Sequence, residues 1–227
     1  MKKKVKIKKK RRINFKRTFI FLLGIYLLGH LMFNFLRLPI KNIYVYDNTV
    51  LTDQEIIDMA NISNYPSTFQ NLSPKIEKKI KKNIYILDAK VYKKNFTEVH
   101  IKVEENRPLF FNRSLNKTIL TDGKEVSKQF MVPTLINYVP DTKYSELINK
   151  MAEVDENILI RISEIQYNPN EVDDSRFLLM MNDGNYVYLT SSKFNNINSY
   201  IDIIKKFDNK KGILYLDYGN SFTILED

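Results

Sequence analysis

Residues 1–17 carry eleven Lys or Arg and no acid, and the nineteen residues at 18–36 that follow carry no formal charge. This pairing constrains the chain more than anything else in it. As a helix, the apolar run rises roughly 28 Å at about 1.5 Å per residue, close to the ~30 Å hydrocarbon core of a bilayer. Positive residues are retained on the cytoplasmic side. Lys8, Lys9, Lys10, Arg11, Arg12, Lys16 and Arg17 are therefore expected to set topology and to touch lipid headgroups. The N-terminus is expected inside and residues 39–227 outside. A cleaved signal peptide would need a short basic region, a shorter apolar core and a small-residue cleavage site. Leu36-Arg37-Leu38-Pro39 offers no such site, so the segment at 18–38 is read as an uncleaved anchor.

The tail also accounts for the basic character of the whole chain. There are 36 bases and 26 acids in all, but residues 18–227 hold 25 bases against the same 26 acids. A neutral body argues against a nucleic-acid partner, which calls for a basic patch on the folded part. The outer part has no cysteine. That excludes thiol catalysis, thiolate metal sites and disulfides, and leaves apolar burial to hold the fold.

Residues 39–108 read as strand, helix, helix, strand, strand. Ile43 and Val45 alternate in the first strand, which ends at Asp47-Asn48, a turn signal. Thr52-Asp53-Gln54-Glu55 has the spacing of a capping box, with Leu51 and Ile56 placed as a hydrophobic staple. Ile56, Ile57 and Ala60 make the buried stripe of that helix. Pro74 after Ser73 opens a second helix in the first-turn position, where its missing N–H costs least. There Ile76 and Ile80 face inward while Lys75, Lys78, Lys79, Lys81 and Lys82 face water. Residues 87–92 and 99–103 alternate with period two around a turn at 93–96. Val99, Ile101 and Val103 share the inner face of the last strand, which places His100 in solvent.

Residues 109–227 read as many short strands with flanking helices. Thr121-Asp122-Gly123 and Asn182-Asp183-Gly184-Asn185 are tight-turn signals. Tyr144, Leu147, Ile148 and Met151 space as one amphipathic helix, and Ile197, Tyr200, Ile201 and Ile204 as another. Strands are expected at 162–167, 177–181, 186–189, 213–218 and 222–225.

The chain shows no local constellation of an enzyme, and only a pair of carboxylates far apart in the sequence is left open. Neither a Gly-x-Ser-x-Gly elbow nor a glycine-rich phosphate loop occurs, and the six glycines are scattered. A triad or a histidine-based zinc site outside the membrane would have to be built on His100 alone. No catalytic residue, metal ligand or cofactor is expected. What remains is binding.

Taken in order, these residues resemble the FtsQ/DivIB family of bacterial cell-division proteins. Ile40-x-x-Ile43-x-Val45 with Asn48, Val50 and a capped helix is similar to the opening of its POTRA domain. Val103-Glu104-Glu105-Asn106-Arg107-Pro108 resembles the motif that closes the domain. Leu120-Thr121-Asp122-Gly123-Lys124-Glu125-Val126, Val132-Pro133-Thr134-Leu135 and Leu214-Tyr215-Leu216-Asp217-Tyr218-Gly219-Asn220 resemble later segments. Two positions depart from the pattern. Relatives usually carry Gly where this chain has Asp47, and often an Arg in the last motif that is missing here.

The resemblance implies an α+β fold: a single N-terminal transmembrane helix, a POTRA-type β-α-α-β-β domain at 39–108, and a mixed C-terminal β domain at 109–227 with flanking helices. It implies a non-enzymatic scaffold at the division septum. Its expected partners are FtsB (DivIC)-like and FtsL-like bitopic proteins and, through them, the septal penicillin-binding protein and its glycosyltransferase. The family places the partner site late in the β domain, where a partner segment adds to a sheet edge. Here that points to Ile213, Leu214, Tyr215, Leu216, Tyr218, Phe222 and Ile224, with Tyr215, Tyr218 and Phe222 as anchors. The competing reading is a POTRA-type polypeptide transport or assembly module. A surface-anchored hydrolase stands third.

Overall fold

The computed structural model describes residues 14–208 and 210–225. The chain forms one long apolar helix and two compact units. The first unit takes in the residues up to Asn83 together with Asp88–Val103, and the second Ile84–Leu87 together with the chain from Glu104 onward. The fold is α+β, as the pattern of elements leads one to expect.

Helix α1 (Phe15–Leu36) is long and apolar enough to cross a membrane, and none of its residues is buried against protein. Its first turn includes Lys16 and Arg17 and no acid. Lys8, Lys9, Lys10, Arg11 and Arg12 lie outside the described residues.

The rest of the first unit is a three-stranded sheet under two helices. Strand β1 (Asn42–Tyr46) leads to α2 (Asp53–Ala60) and α3 (Ser73–Ile80), then to β2 (Ile86–Lys94) and β3 (Glu98–Glu105). The sheet order is β1-β3-β2, with β1 parallel to β3. The local signals act as written in the sequence. Thr52 Oγ1 accepts from the Glu55 N–H, and the Glu55 carboxylate accepts from the Thr52 N–H at 2.8 Å, closing the capping box. Ile56, Ala60, Ile76 and Ile80 of the helices and Ala89, Val99 and Ile101 of the sheet are all fully buried. Full burial of one such aliphatic side chain contributes about 1.5–3 kcal/mol.

Asp47 explains the departure from the family pattern. Its backbone sits at φ 64°, the left-handed region that glycine enters freely. Asp is among the few other residues that tolerate it, and here its carboxylate pairs with Lys102 at 3.0 Å.

His100 does not face water. It is 5% exposed, sandwiched between the rings of Tyr44 and Tyr92 at 4.8 Å on either side. Its Nδ1 lies 2.9 Å from the Tyr46 hydroxyl. Alternation assigned the correct face of β3, but not what covers that face. Because β3 is central, tyrosines from both neighbouring strands close over it.

The second unit is built on a nine-stranded sheet of order β12-β11-β10-β9-β8-β7-β4-β5-β6. Its strands are β4 (Pro108–Asn112), β5 (Lys117–Leu120), β6 (Glu125–Val126), β7 (Thr134–Leu135), β8 (Ile162–Tyr167), β9 (Arg176–Met181), β10 (Tyr186–Thr190), β11 (Gly212–Tyr215) and β12 (Ser221–Ile224). Helices α4 (Asp141–Ala152), α5 (Glu156–Leu159) and α6 (Tyr200–Lys205), with a 3-10 segment at Ser191–Ser199, supply the helical side of the core. Leu147, Met151, Phe194, Ile197, Tyr200 and Ile204 pack there with Phe110, Ile165, Leu179, Val187, Leu214 and Leu216. Three pairings are parallel, β4 with β7, β7 with β8 and β10 with β11. The two-residue strands β6 and β7 give too short an alternation to be read in advance.

The Glu105-Asn106-Arg107-Pro108 motif has a structural role. The Arg107 guanidinium donates to the carbonyls of Ala152 (2.7 Å) and Val154 (2.8 Å), groups left without helical partners at the end of α4. Buried Asn106 donates to the Ile84 carbonyl and accepts from the Asp122 N–H.

Candidate partner-binding edge

Strand β11 is interior. It pairs in parallel with β10 and antiparallel with β12, so residues 212–215 offer no free edge, where one was expected along 213–218. The edge belongs to β12, which ends the sheet among the described residues. The register pairs Gly212 with Ile224, Ile213 with Thr223, Leu214 with Phe222 and Tyr215 with Ser221. The Leu225 N–H donates to the Lys211 carbonyl. Hydrogen-bonded pairs alternate in an antiparallel ladder, so Ser221 and Thr223 bond inward to β11. The N–H and C=O groups of Phe222 and Ile224 then point away from the sheet, where an added strand would meet them.

The expected site residues divide among three surroundings. Leu214 and Leu216 are 1% exposed and belong to the core, which corrects their assignment as contact side chains. Ile213 and Tyr215 are half-buried on the opposite sheet face. There the Tyr215 ring stacks on Tyr188 at 5.5 Å, and the Arg176 guanidinium covers Tyr188 at 3.7 Å. Phe222 is half-buried and stacks on Phe207 at 4.5 Å, beside a shallow cleft shared with Ile203, Lys206 and Leu214. Ile224 is 46% exposed and Tyr218 68% exposed. Phe222, Ile224 and Tyr218 are therefore the side chains that a partner on this edge could use.

Two features that sequence reasoning missed hold the edge in place. A Cβ built on Gly212 would clash with the Phe222 ring and with the Thr223 carbonyl, so only glycine lets β12 close on β11. Asp217, next to exposed Tyr218, is 8% exposed. Its carboxylate accepts from Arg176 Nε at 2.7 Å and from the Tyr218 N–H at 2.8 Å. Lys193 Nζ donates to the Asp217 carbonyl at 2.8 Å. The signal for Asp217 was an acid within an apolar strand; its partner, 41 residues earlier, was invisible.

A POTRA sheet behind one membrane-length helix, followed by a β-rich unit, defines the class: a single-pass membrane protein with a POTRA domain. Comparison with known proteins agrees. Residues 38–106 match the family "POTRA domain, FtsQ-type". The cell division protein DivIB of Bacillus subtilis strain 168 is 28% identical over 96% of this chain and 87% of its own length. DivIB of Geobacillus kaustophilus is 25% identical over 96% of this chain and 88% of its own. A solved extracytoplasmic domain of DivIB from Geobacillus stearothermophilus overlaps 47% of this chain and 97% of that domain, with TM-score 0.39 and 23% identity. Residues 38–106 thus carry a POTRA domain of the FtsQ type, and nearly the whole chain is similar to bacterial cell-division proteins named DivIB.

Proposed function

We propose that this protein is a division-machine scaffold that captures small bitopic partners of the FtsB (DivIC) and FtsL type by adding a partner strand to β12. Through them it helps control septal peptidoglycan synthesis. In this reading the basic tail stays in the cytoplasm, both folded units stand outside, and the protein concentrates at the septum. The supporting observation is the outward-facing backbone of Phe222 and Ile224 on a terminal strand, flanked by exposed Tyr218. Main-chain bonds would give affinity, and the Phe222–Phe207 cleft would give side-chain selectivity.

The test uses proline to remove one backbone donor at a time. Ile224→Pro deletes an outward N–H and leaves the inward ladder intact. Thr223→Pro deletes an inward one and should loosen β12 itself. A photo-crosslinker at Tyr218 in dividing cells should capture a small single-pass protein. Ile224→Pro should lower that capture roughly fivefold, the equivalent of one hydrogen bond of about 1 kcal/mol, without changing the thermal stability of the chain. Capture of unfolded export clients would move the function to polypeptide transport. Undiminished capture with Ile224→Pro would exclude strand addition.

A further inference from the structure

The outer end of α1 is tied into the POTRA unit. Phe35 packs on Phe69 at 4.6 Å and lies 6.3 Å from Phe96, with Phe69 and Phe96 6.1 Å apart. The Leu36 carbonyl accepts from Ser67 Oγ at 2.6 Å, and the Leu38 carbonyl from the Thr68 N–H at 2.9 Å. Ile40 N–H donates to Pro66, and Lys41 N–H to Thr97. Lys93, turned inward, donates to Thr68 Oγ1 (2.9 Å) and to the Asn71 carbonyl (2.6 Å). The loop at 61–72 and the turn at 95–97 are thereby held where the membrane-length helix ends.

Three large apolar side chains stand out from this end: Tyr65 at 52% exposure, Leu72 at 58% and Phe96 at 60%. Tyr65 and Phe96 sit at φ 50° and 58°, a region that bulky residues seldom enter and that costs of order 1–3 kcal/mol each. Charge is segregated in the same place. Segments 35–46, 59–76 and 89–97 contain Arg37, Lys41, Lys75, Lys90, Lys93 and Lys94 and no acid at all. The nine acids of residues 38–106 all lie elsewhere, and Glu98, which follows the turn, points toward His100.

We propose that this end of the POTRA unit lies on an anionic bilayer surface, with Phe96, Tyr65 and Leu72 in the headgroup layer and Lys75 and Lys94 against lipid phosphates. The inference rests on α1 crossing the membrane. Continuity argues for lipid as the occupant, because the apolar cluster begins on the last turn of the span itself. Aromatic rings settle at the membrane interface, and each surface lysine near anionic lipid contributes about 1 kcal/mol. The anchor is then a mount that orients the POTRA sheet as well as a tether.

The chain has no tryptophan, so single tryptophans can serve as depth probes in the full-length protein. Leu28→Trp reports the span, Phe96→Trp the proposed face, and Gln54→Trp the start of α2 at the far end of the unit. The full chain is reconstituted into vesicles of brominated phosphatidylglycerol or brominated phosphatidylcholine. Quenching at residues 28 and 96 but not 54 is expected. At residue 96 it should be stronger in phosphatidylglycerol, and Lys94→Glu should shift the docked fraction roughly fivefold or more. Quenching at 28 without quenching at 96 would overturn the docking and leave the span standing. No quenching at 28 would overturn both. Equal quenching at 54 and 96, or shielding at 96 only when a protein partner is present, would also overturn it.

Discussion

Asp217 and Arg176 are the place to test how the second unit holds its last strands. Their side chains are 5% and 13% exposed, and Nε approaches Oδ2 at 2.7 Å. Replacing Asp217 with Ala strands a buried guanidinium and removes the acceptor of the Tyr218 N–H. Breaking one side of a buried pair costs about 3–5 kcal/mol. Arg176 keeps its 2.8 Å bond to Asn168 and its place over Tyr188, so the lower end, about 3 kcal/mol, is expected. For a unit of this size that is a fall in Tm of roughly 10 °C. Removing both charges, as Arg176→Met with Asp217→Leu, should recover most of the loss, since apolar replacement of a buried pair is often neutral. The assay is thermal unfolding of the full chain in detergent, with hydrogen exchange to localise the change to β9–β11. A shift below about 2 °C for Asp217→Ala, or a double variant no better than the single, would refute the reasoning.

Two further outcomes are expected. Gly212→Ala should cost about 1–3 kcal/mol through overpacking and speed exchange at 221–225 while β9 and β10 stay protected; an unchanged β12 would contradict the close approach to the Phe222 ring and the Thr223 carbonyl. The Tyr200 hydroxyl, held by burial and by its bond to Asp183, has a pKa raised well above the ordinary 10.0. The folded state thus keeps a proton that the unfolded chain releases above pH 10. The stabilisation is full below that pH and is lost as pH rises toward the folded value. An alkaline titration of Tm should fall more steeply for the native chain than for Tyr200→Phe, and parallel curves would contradict this.

The class of the protein was legible in local patterns. A charge-free run after a basic tail, a capping box at Thr52 and a proline at the start of α3 each depend on neighbours a few residues apart. So do Ile76 and Ile80, four residues apart on one helix face. The pairing order of strands depends on partners far along the chain, and this is where expectation and structure part. Period two put His100 on the correct face, yet Tyr44, Tyr46 and Tyr92 from adjacent strands covered it. The family resemblance pointed to 213–218 as an edge, and at 212–215 the parallel partner β10 closed it from one side while β12 closed it from the other. Hydrophobic period fixes which way a side chain points, and sequence alone therefore determined a membrane-length apolar run, a strand-helix-helix-strand-strand unit and a β-rich second unit, while the POTRA reading came from resemblance. Which strand ends the sheet, and with it which backbone groups stay open to a partner, was decided only by tertiary pairing, because a strand's edge is defined by what fails to lie beside it.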